Sequence, residues 1–464
     1  MSAEPTVGGT RRSVGAFLGA TLSSSAAALA LDTVIGKQVF DLTGRELDLG
    51  LIGLTVFAPN FVLVLVTGSL ADRFDRRRIA AMGLTAEAIA VGALAWYAST
   101  GPTASAPIFL LTLAFGTARA FATPATRALP PDIVVPERLP WLTVRYSGTW
   151  QTAAIIGPIL GGFLYAVAVW LPYLVVAVLL VVAAALLLSV EVRPDVRVGR
   201  RDPLVEPRTD AEVRADALLE AGVEATEGEA AAAMPRGRLH EAMEGLRFIR
   251  RQPALLGAIS LDLFAVLFGG AVALLPAIAD DLGVGAVGLG WLRAATGIGA
   301  ALMTLTLAWR PVRRHVGVTL LAAVAVFGLF TIVLGVTGSF AVAFVSLMVL
   351  SGADAISVFI RGTLVPLITP EDKRGRVFAV EMVFIGASNE LGGFESGAVG
   401  QLIGVTGAVV LGGAATLLVA TGWWWLFPSL RKVDRFPGLA APDGAPAETS
   451  GSGSARSDPE GSRR

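Results

Sequence analysis

Long stretches without an acidic or basic side chain dominate this sequence and leave few folds open to it. From Tyr146 to Val190 the chain has 45 consecutive residues without Asp, Glu, Lys or Arg, and from His315 to Ala353 it has 39. A helix needs roughly 20 apolar residues to cross about 30 Å of hydrocarbon, so each stretch is long enough for two crossings. Over the whole chain 16% of residues are charged, against about 25% in ordinary soluble domains. An integral membrane protein is therefore predicted.

The apolar segments fall into two sets of six. Six crossings fit before residue 191, with a break at residues 170–172. Six more fit after residue 252, with a break at residues 337–339. The sequence therefore predicts an all-α membrane protein of twelve transmembrane helices, arranged as two six-helix bundles at residues 1–190 and 253–430.

Two segments differ from the bundles in composition. Residues 191–252 mix many charged residues with Ala and Gly, which predicts a flexible cytoplasmic linker. Within it, residues 239–251 read LHEAMEGLRFIRR, which predicts an amphipathic helix on the membrane surface. Residues 431–464 end in a segment rich in Pro, Gly and Ser and are predicted to form a disordered cytoplasmic tail.

A short internal repeat links the two bundles. Arg127 is followed nine residues later by the pair Pro136-Glu137, and Arg361 is followed nine residues later by the pair Pro370-Glu371. Repeated halves with a site between them are typical of secondary transporters. We therefore expect the two bundles to be related by a pseudo-two-fold axis.

Basic residues are unevenly distributed between the loops. If the N-terminus lies inside, fourteen Lys and Arg residues fall in short cytoplasmic loops, and two, Lys37 and Arg45, fall outside. Cytoplasmic loops of membrane proteins carry such an excess. Both termini are therefore predicted to be cytoplasmic.

Composition excludes several classes of function. The chain has no Cys and only two His residues, which excludes disulfides, thiolate metal sites and clusters of imidazole ligands. Lys and Arg together number 37, as do Asp and Glu, so net charge does not indicate a nucleic-acid partner, and none is expected. No Ser-His, metal-ligand or paired catalytic motif falls at membrane depth, so we expect no enzyme activity, no metal and no cofactor.

The loop between the second and third predicted crossings carries a motif. It reads GSLADRFDRRR from Gly68 to Arg78 and resembles the G-x-L-A-D-R-x-G-R-R signature of the major facilitator superfamily, with Asp75 in place of the second glycine. The resemblance implies the fold of that superfamily and a gating role in which Asp72 caps a helix and pairs with arginines. The implied gating residues are Gly68, Asp72, Arg73, Arg76 and Arg77. A basic loop that only fixes the topology is the alternative.

The fifth predicted crossing contains Gly157, Pro158, Gly161 and Gly162. These residues resemble the G-P-x-x-G-G core of the antiporter motif found in exporters of the superfamily. Small residues let helices approach closely, and a proline bends a helix by freeing a backbone carbonyl. Tight packing without any bearing on the direction of transport is the alternative.

Further segments resemble the enterobactin-exporter and macrolide-efflux branch of the superfamily. They include residues 124–139, 273–284 and 369–397. The resemblance implies a proton-driven exporter of drug-like or siderophore-like molecules in a bacterial inner membrane, and we expect a monomer whose partners are its small-molecule cargo, protons and the lipid bilayer. An importer or uniporter of the same fold and a transport-dead membrane scaffold are alternatives. Thr112 stands where many drug antiporters have an arginine, so the proton-relay role of that arginine is not carried over.

Charged side chains within the apolar segments are the candidate functional residues, because each costs about 3 kcal/mol at the centre of the bilayer. A proton-coupled transporter needs a carboxyl group that binds and releases a proton in each cycle. The candidates for that role are Asp262, Asp32, Asp354, Glu381, Glu390 and Glu395. The candidate counter-charges are Arg119, Arg293 and Arg361, and Glu87 is a further charge in the third crossing.

Helical periodicity separates some of these acids. Glu395 lies fourteen residues after Glu381, which places the two within about 40° on one helix face, whereas Glu390 lies nine residues after Glu381, about 180° away. The three therefore do not all face one cavity. Asp354 and Arg361 share a helix face, and simple mutual neutralisation is one interpretation.

Asp262 is the favoured acid, because the seventh crossing lines the central cavity in the fold that the resemblance implies. The alternative interpretation of Asp262 is that it pairs with a base on a neighbouring crossing and carries no proton. Asp32, near the outer end of the first crossing, is the second choice, and its alternative is a hydrated gate residue. Gln38, Gln151 and Asn389 are the candidates for neutral hydrogen bonds to cargo, within walls suited to a bulky amphipathic molecule.

Overall fold

The structure, a computed structural model, describes residues 7–192 and 238–437. The greater part of the predicted linker, residues 193–237, and of the predicted tail, residues 438–464, lies outside the described residues. Within the described ranges the chain is built from α-helices and short connections.

The first half of the chain forms six long helices and one short one. They are α1 (Val7–Thr43), α2 (Glu46–Arg73), α3 (Arg76–Ser99), α4 (Ala106–Arg127), α5 (Pro130–Ile133), α6 (Leu139–Val167) and α7 (Leu171–Leu188). The predicted break at residues 170–172 is confirmed, because α6 ends and α7 begins there. Pro172, in the first turn of α7, suits a helix start, where its missing N–H is not needed.

The second half begins with the predicted amphipathic helix. Its helices are α8 (Arg238–Arg251), α9 (Pro253–Phe268), α10 (Leu275–Asp281), α11 (Gly285–Trp309), α12 (Val316–Val336), α13 (Phe340–Ile368), α14 (Glu371–Leu426) and α15 (Pro428–Arg431). A 3-10 turn at Gly270–Leu274 divides the predicted seventh crossing into α9 and α10. The break at residues 337–339 is also confirmed.

Ten helical segments among the described residues are long and apolar enough to cross a membrane. One of them, Lys373–Leu426, contains Gly404 with φ 81° and ψ 162°, a backbone conformation that interrupts the helix, so the segment makes two crossings. With α2, a helix of 28 residues that runs back from the end of α1, residues 7–192 and 238–437 provide twelve crossings, as predicted.

Helix α1 continues beyond the apolar run that predicted it. The run ends at Leu31, whereas the helix extends to Thr43, and its part beyond Leu31 includes three charged residues. Lys37 pairs with Asp41 one turn further along, and Asp32 pairs with Arg293 of α11, so these charges are compensated and the helix does not need to end. Asp32 therefore lies well inside the helix rather than near its end.

The two halves contact each other through equivalent pairs of helices. Within the first half, α1 packs against α6 and α7, and within the second, α12 packs against α13 and α14. Between the halves, α6 packs against α11, and α2 packs against α14. The second crossing of each half thus contacts the fifth crossing of the other, which is the arrangement that a pseudo-two-fold axis requires.

The bundle has a basic end and an opposite end. The basic end carries the connections at residues 74–75, 128–138 and 310–315, and the opposite end carries those at residues 44–45 and 168–170. The described contacts between the halves lie in the middle and toward the opposite end. At the start of α2, for example, a Cβ added to Gly50 would lie 2.7 Å from Cα of Phe394.

Candidate functional site

A cavity of about 220 Å³ lies between the two halves. Its walls come from α1, α2 and α4 of the first half and from α14 of the second. It is lined by Ala28, Leu29, Leu31, Asp32, Ile35, Ile52, Gly53, Val56, Phe115, Arg119 and Glu390. A concave, mostly apolar wall with a few charged groups is typical of sites for small molecules.

Asp32 and Arg293 form an ion pair that joins the halves beside this cavity. The Asp32 side chain is 54% exposed and that of Arg293 is 12% exposed, so the carboxylate is the more accessible partner. Among the described residues, Nε of Arg293 has no hydrogen-bond partner. Loss of Asp32 would therefore leave a buried guanidinium without a compensating charge, which is unfavourable.

Arg119 has its partner inside the first half. Its Nη1 lies 3.8 Å from Oε2 of Glu87 on α3, and the Glu87 side chain is 1% exposed. The guanidinium also lies over the ring of Phe115, 5.8 Å from its centroid. Glu87 therefore offsets the positive charge that Arg119 brings to the cavity wall. Glu87 and Arg119 have opposite charges and lie in consecutive crossings, but the sequence alone does not show that they form a pair.

Glu390 reaches the cavity from α14, directly beside α2. A Cβ added to Gly53 would lie only 2.6 Å from Oε2 of Glu390, so α2 leaves room for this carboxylate because residue 53 is a glycine. Among the side chains that the structure describes, no Lys or Arg lies within ion-pair distance of Glu390. Glu390 thus differs from the other two charged residues of the wall.

A second cluster of charges lies within the second half. Nη2 of Arg361 on α13 lies 2.7 Å from Oδ1 of Asp262 on α9, and its Nη1 lies 3.6 Å from Oε1 of Glu381 on α14. Ser357 donates a hydrogen bond of 3.5 Å to Asp262. Asp354 lines a small void next to this cluster. Three helices of one half are thereby connected through a single buried guanidinium.

This cluster changes the interpretation of two predicted residues. Asp262 pairs with a base on a neighbouring crossing and is not among the residues that line the cavity between the halves. Among the described side chains, Asp354 forms no ion pair with Arg361. Asp354 and Arg361 are seven residues apart on α13, which separates their positions by about 10.5 Å along the helix axis. Asp262 lies on the adjacent helix α9 and therefore reaches the guanidinium directly.

The three amide residues expected to contact cargo are engaged elsewhere. Tyr173 of α7 donates a hydrogen bond to Gln38 inside the first half. Gln151 donates to the carbonyl oxygen of Gly297 at 2.5 Å, across the contact between α6 and α11. Asn389 donates to the carbonyl oxygen of Ile385 in its own helix at 2.8 Å. None of the three amides lines the cavity described here.

The glycine and proline motif of α6 packs against both halves. A Cβ added to Gly157 would lie 2.7 Å from the carbonyl oxygen of Ala26, so this glycine faces α1 of its own half, as does Gly161. Gly162 faces α11 of the other half, where an added Cβ would lie 3.0 Å from Cα of Gly290. Helix α6 is therefore held closely between the halves because these positions carry no side chain.

The motif at the basic end is partly described. Asp75, which replaces a glycine of the signature, caps α3 by accepting a hydrogen bond of 3.0 Å from the backbone N–H of Arg77. Arg77 also donates to the carbonyl oxygen of Val190 at 2.6 Å, and Arg76 lies 3.3 Å from Asp132. The side chains of Asp72 and Arg73, and the surroundings of Gly68, lie outside the described ones.

Two remaining features lie toward the opposite end. Lys37, with a side chain 9% exposed, contacts Asp41 of its own helix and Asp280 of α10 at 3.3 Å, so it joins the halves. Tyr165 donates a hydrogen bond of 2.8 Å to Asp41. Glu395 accepts a hydrogen bond of 3.5 Å from Ser396 and does not line the cavity.

Comparison with known families gives two matches. Residues 13–309 match the family described as Major Facilitator Superfamily, and residues 217–440 match the family described as Transmembrane secretion effector. The first match covers more than half of the chain. A comparison with curated proteins finds no match.

Several solved structures have a similar fold. A peptide transporter, POT, superposes with a TM-score of 0.67 at 12% identity, covering 91% of this chain and 95% of that one. A bacterial homologue of the human lysosomal transporter Spinster, in an inward-facing and unoccupied conformation, superposes with a TM-score of 0.62 at 14% identity. The superposition covers 94% of this chain and 100% of that one. A bacterial homologue of the iron transporter ferroportin, in an inward-facing state, superposes with a TM-score of 0.62 at 16% identity. The superposition covers 91% of this chain and 99% of that one. At these identities the similarity is one of fold.

Proposed function

The chain belongs to the major facilitator superfamily, and from this premise we propose that it exports a small amphipathic molecule across a bacterial inner membrane in exchange for protons. Membership makes it a multi-pass membrane transporter rather than an enzyme. The observation that carries the finer proposal is the cavity between the halves, whose mostly apolar wall contains three charged side chains. A sugar or an inorganic anion would need a denser polar lining, because its polar groups lose water on entry.

Alternating access is the proposed mechanism, in which the two halves open the cavity to one side at a time. The excess of arginine at the basic end favours a cytoplasmic location for that end and for both termini. The described contacts between the halves, including the pair of Lys37 and Asp280, lie toward the opposite end. Together these observations support an inward-facing state.

Export is the proposed direction. The resemblance of residues 157–162 to the antiporter motif favours it, and so does the match of residues 217–440 to a family described as a secretion effector. Within the superfamily, the segments that resemble enterobactin exporters and macrolide-efflux transporters favour that branch. An importer or uniporter of the same fold is the second candidate, and it would show the opposite direction of net transport in the same assay.

Asp32 is the first candidate for the coupled proton. Protonation would remove its charge and so weaken the ion pair with Arg293 that joins the halves. Asp262 is the second candidate, because its protonation would release Arg361 within the second half. The remaining candidates are Asp354, Glu381, Glu390 and Glu395.

The domain organisation is also proposed. It consists of bundles at residues 1–190 and 253–430, joined by a cytoplasmic linker at 191–252 and followed by a cytoplasmic tail at 431–464. The monomer is proposed as the transporting unit, because one chain supplies both of the bundles that an alternating-access transporter needs. The linker also offers a test of the scaffold alternative. Deletion of residues 200–235 should abolish the phenotype of a scaffold, whereas an exporter should largely retain transport.

Inverted membrane vesicles test the proposal. Vesicles from cells that produce the chain are energised to acidify their interior, and uptake is measured for a panel of toxic amphipathic compounds. We expect uptake of at least one compound, loss of uptake with a protonophore, and loss with Asp32→Asn. Asp434→Asn, a change at a half-exposed acid outside the crossings, is the control and should retain uptake. Uptake that persists with the protonophore would contradict proton exchange.

A further inference from the structure

The charged side chains around the cavity between the halves do not balance. Asp32 lies within ion-pair distance of Arg293, and Arg119 lies within ion-pair distance of Glu87, so each of these groups has a partner of the opposite type. Glu390 is the remaining charged residue of the wall, and it has no basic partner among the described side chains. The described wall therefore has one acidic side chain more than its ion pairs account for, and that side chain is on α14.

From this imbalance, and resting on the proposed transport function, we infer that the cargo is a lipophilic organic cation and that Glu390 selects its charge. A carboxylate at an apolar wall attracts a positive group strongly, because little water screens the interaction. The hydrocarbon part of the same molecule would lie against Leu29, Ile52 and Val56, which line the cavity.

The same arrangement disfavours an anionic cargo. An anion would approach two carboxylates, Asp32 and Glu390, while the base nearest to it, Arg119, already faces Glu87. Like charges brought together at an interface are unfavourable, and no described base is free to offset them. The siderophore-like alternative for the cargo, if it is anionic, is therefore the less suitable one for this site.

The Glu390 carboxylate lies directly against the backbone of α2 at Gly53. A Cβ at residue 53 would overlap with the Glu390 carboxylate, so α2 and α14 approach closely around it. Because the cavity measures about 220 Å³, below the roughly 300–1,000 Å³ usual for ligand pockets, it suits a compact cationic group.

Three compounds of one shape test the inference. Benzyltrimethylammonium is the cation, neopentylbenzene is its neutral isostere, and phenylmethanesulfonate is the anion. Binding of each to the purified full chain in nanodiscs is measured by equilibrium dialysis. We expect the cation to bind about tenfold or more tightly than the other two. Similar binding of all three compounds, or tighter binding of the anion, would overturn the inference.

Matched variants assign the charge selection to one residue. Glu390→Gln should remove the preference for the cation, and Glu390→Asp should retain it. Glu371→Gln, a change at an acid on the same helix whose side chain is 91% exposed, should leave the preference unchanged. Retained preference in Glu390→Gln would refute the role of this residue. A folded Glu390→Asp control excludes general loss of structure as the cause.

Binding and transport can fail separately. If the cation binds selectively but no compound is taken up by energised vesicles, the proposed transport function fails and the inference about the site stands. If vesicles transport compounds regardless of charge and Glu390→Gln has no effect, the inference fails while the transport function stands.

Discussion

Asp32 of α1 and Arg293 of α11 form an ion pair that joins the two halves of the chain at the edge of the central cavity. Their helices belong to different bundles, so this pair must separate if the halves move apart at the opposite end. The pair therefore stabilises the described arrangement of the halves, and in the proposed alternating-access mechanism its strength would affect how often the cavity opens at the opposite end.

Removing either member of this pair should favour the state that is open at the opposite end. The chain contains no native Cys, so Ala28→Cys in the cavity wall can be labelled without background by a maleimide that does not cross membranes. In whole cells we expect Asp32→Asn and Arg293→Gln each to increase the labelling rate several-fold. This increase corresponds to a shift of roughly 1 kcal/mol in the equilibrium between the two arrangements of the halves. The double variant should label no faster than the faster single variant, because the same interaction is lost. Additive effects would show that the two residues act independently.

Gly162 should tolerate no larger side chain. A Cβ at this position would overlap with the backbone of α11 at Ala286 and Gly290, so Gly162→Val should prevent the halves from closing and reduce transport by about tenfold or more. Gly148→Val is the matched control on the same helix, because a Cβ there meets no atom within 4 Å. Vesicle uptake measures the effect. Equal loss of uptake in both variants would indicate a general disturbance of α6.

Arg361 should be far more important for stability than its repeat equivalent Arg127. Arg361 is buried against Asp262 and Glu381, whereas Arg127 is exposed. Loss of one member of a buried ion pair costs about 3–5 kcal/mol, because the remaining charge has no partner. We expect Arg361→Met to lower the thermal unfolding temperature in detergent strongly and Arg127→Met to leave it nearly unchanged. A similar small change in the unfolding temperature of both variants would mean that the cluster around Arg361 is hydrated and contributes little to stability.

Asp75 should stabilise α3 through its cap. Asp75→Ala removes the acceptor for the N–H of Arg77 and should cost about 1 kcal/mol, whereas Asp75→Asn keeps an acceptor and should cost less. Thermal unfolding of the two purified variants measures the difference. If both variants unfold at the temperature of the parent chain, the interaction of Asp75 with Arg77 is not a stabilising one.

The number and spacing of the crossings could be predicted from the sequence because apolar length directly reflects the thickness of a membrane. The breaks at residues 170–172 and 337–339 were predicted for the same reason. The full length of α1 could not be predicted from the sequence, because a charged residue normally marks the end of an apolar run. Asp32 lies inside the helix, where Arg293, 261 residues away in sequence, provides a partner for its charge.

The composition of the site was less accessible to sequence analysis. Helical periodicity predicts that Glu381 and Glu390 point in different directions, and in the structure Glu381 lies beside Arg361 while Glu390 lies in the cavity wall. It could not show that Asp262 faces Arg361, because that contact depends on the rotation and depth of two helices relative to each other. Similarly, Gln151 was expected to contact cargo, but the approach of α6 to α11 brings it to the carbonyl of Gly297.

The close approach of Gly162 and Gly290 affects how easily the halves can move. Side chains that interdigitate must change rotamer or leave their grooves before two helices can separate, which slows the motion. Where glycine backbones meet directly, no such interlocking exists, and little apolar area is lost when they part. The contact of α6 with α11 at Gly162 and Gly290 is therefore close but not interlocked, which favours movement of one half of the chain against the other.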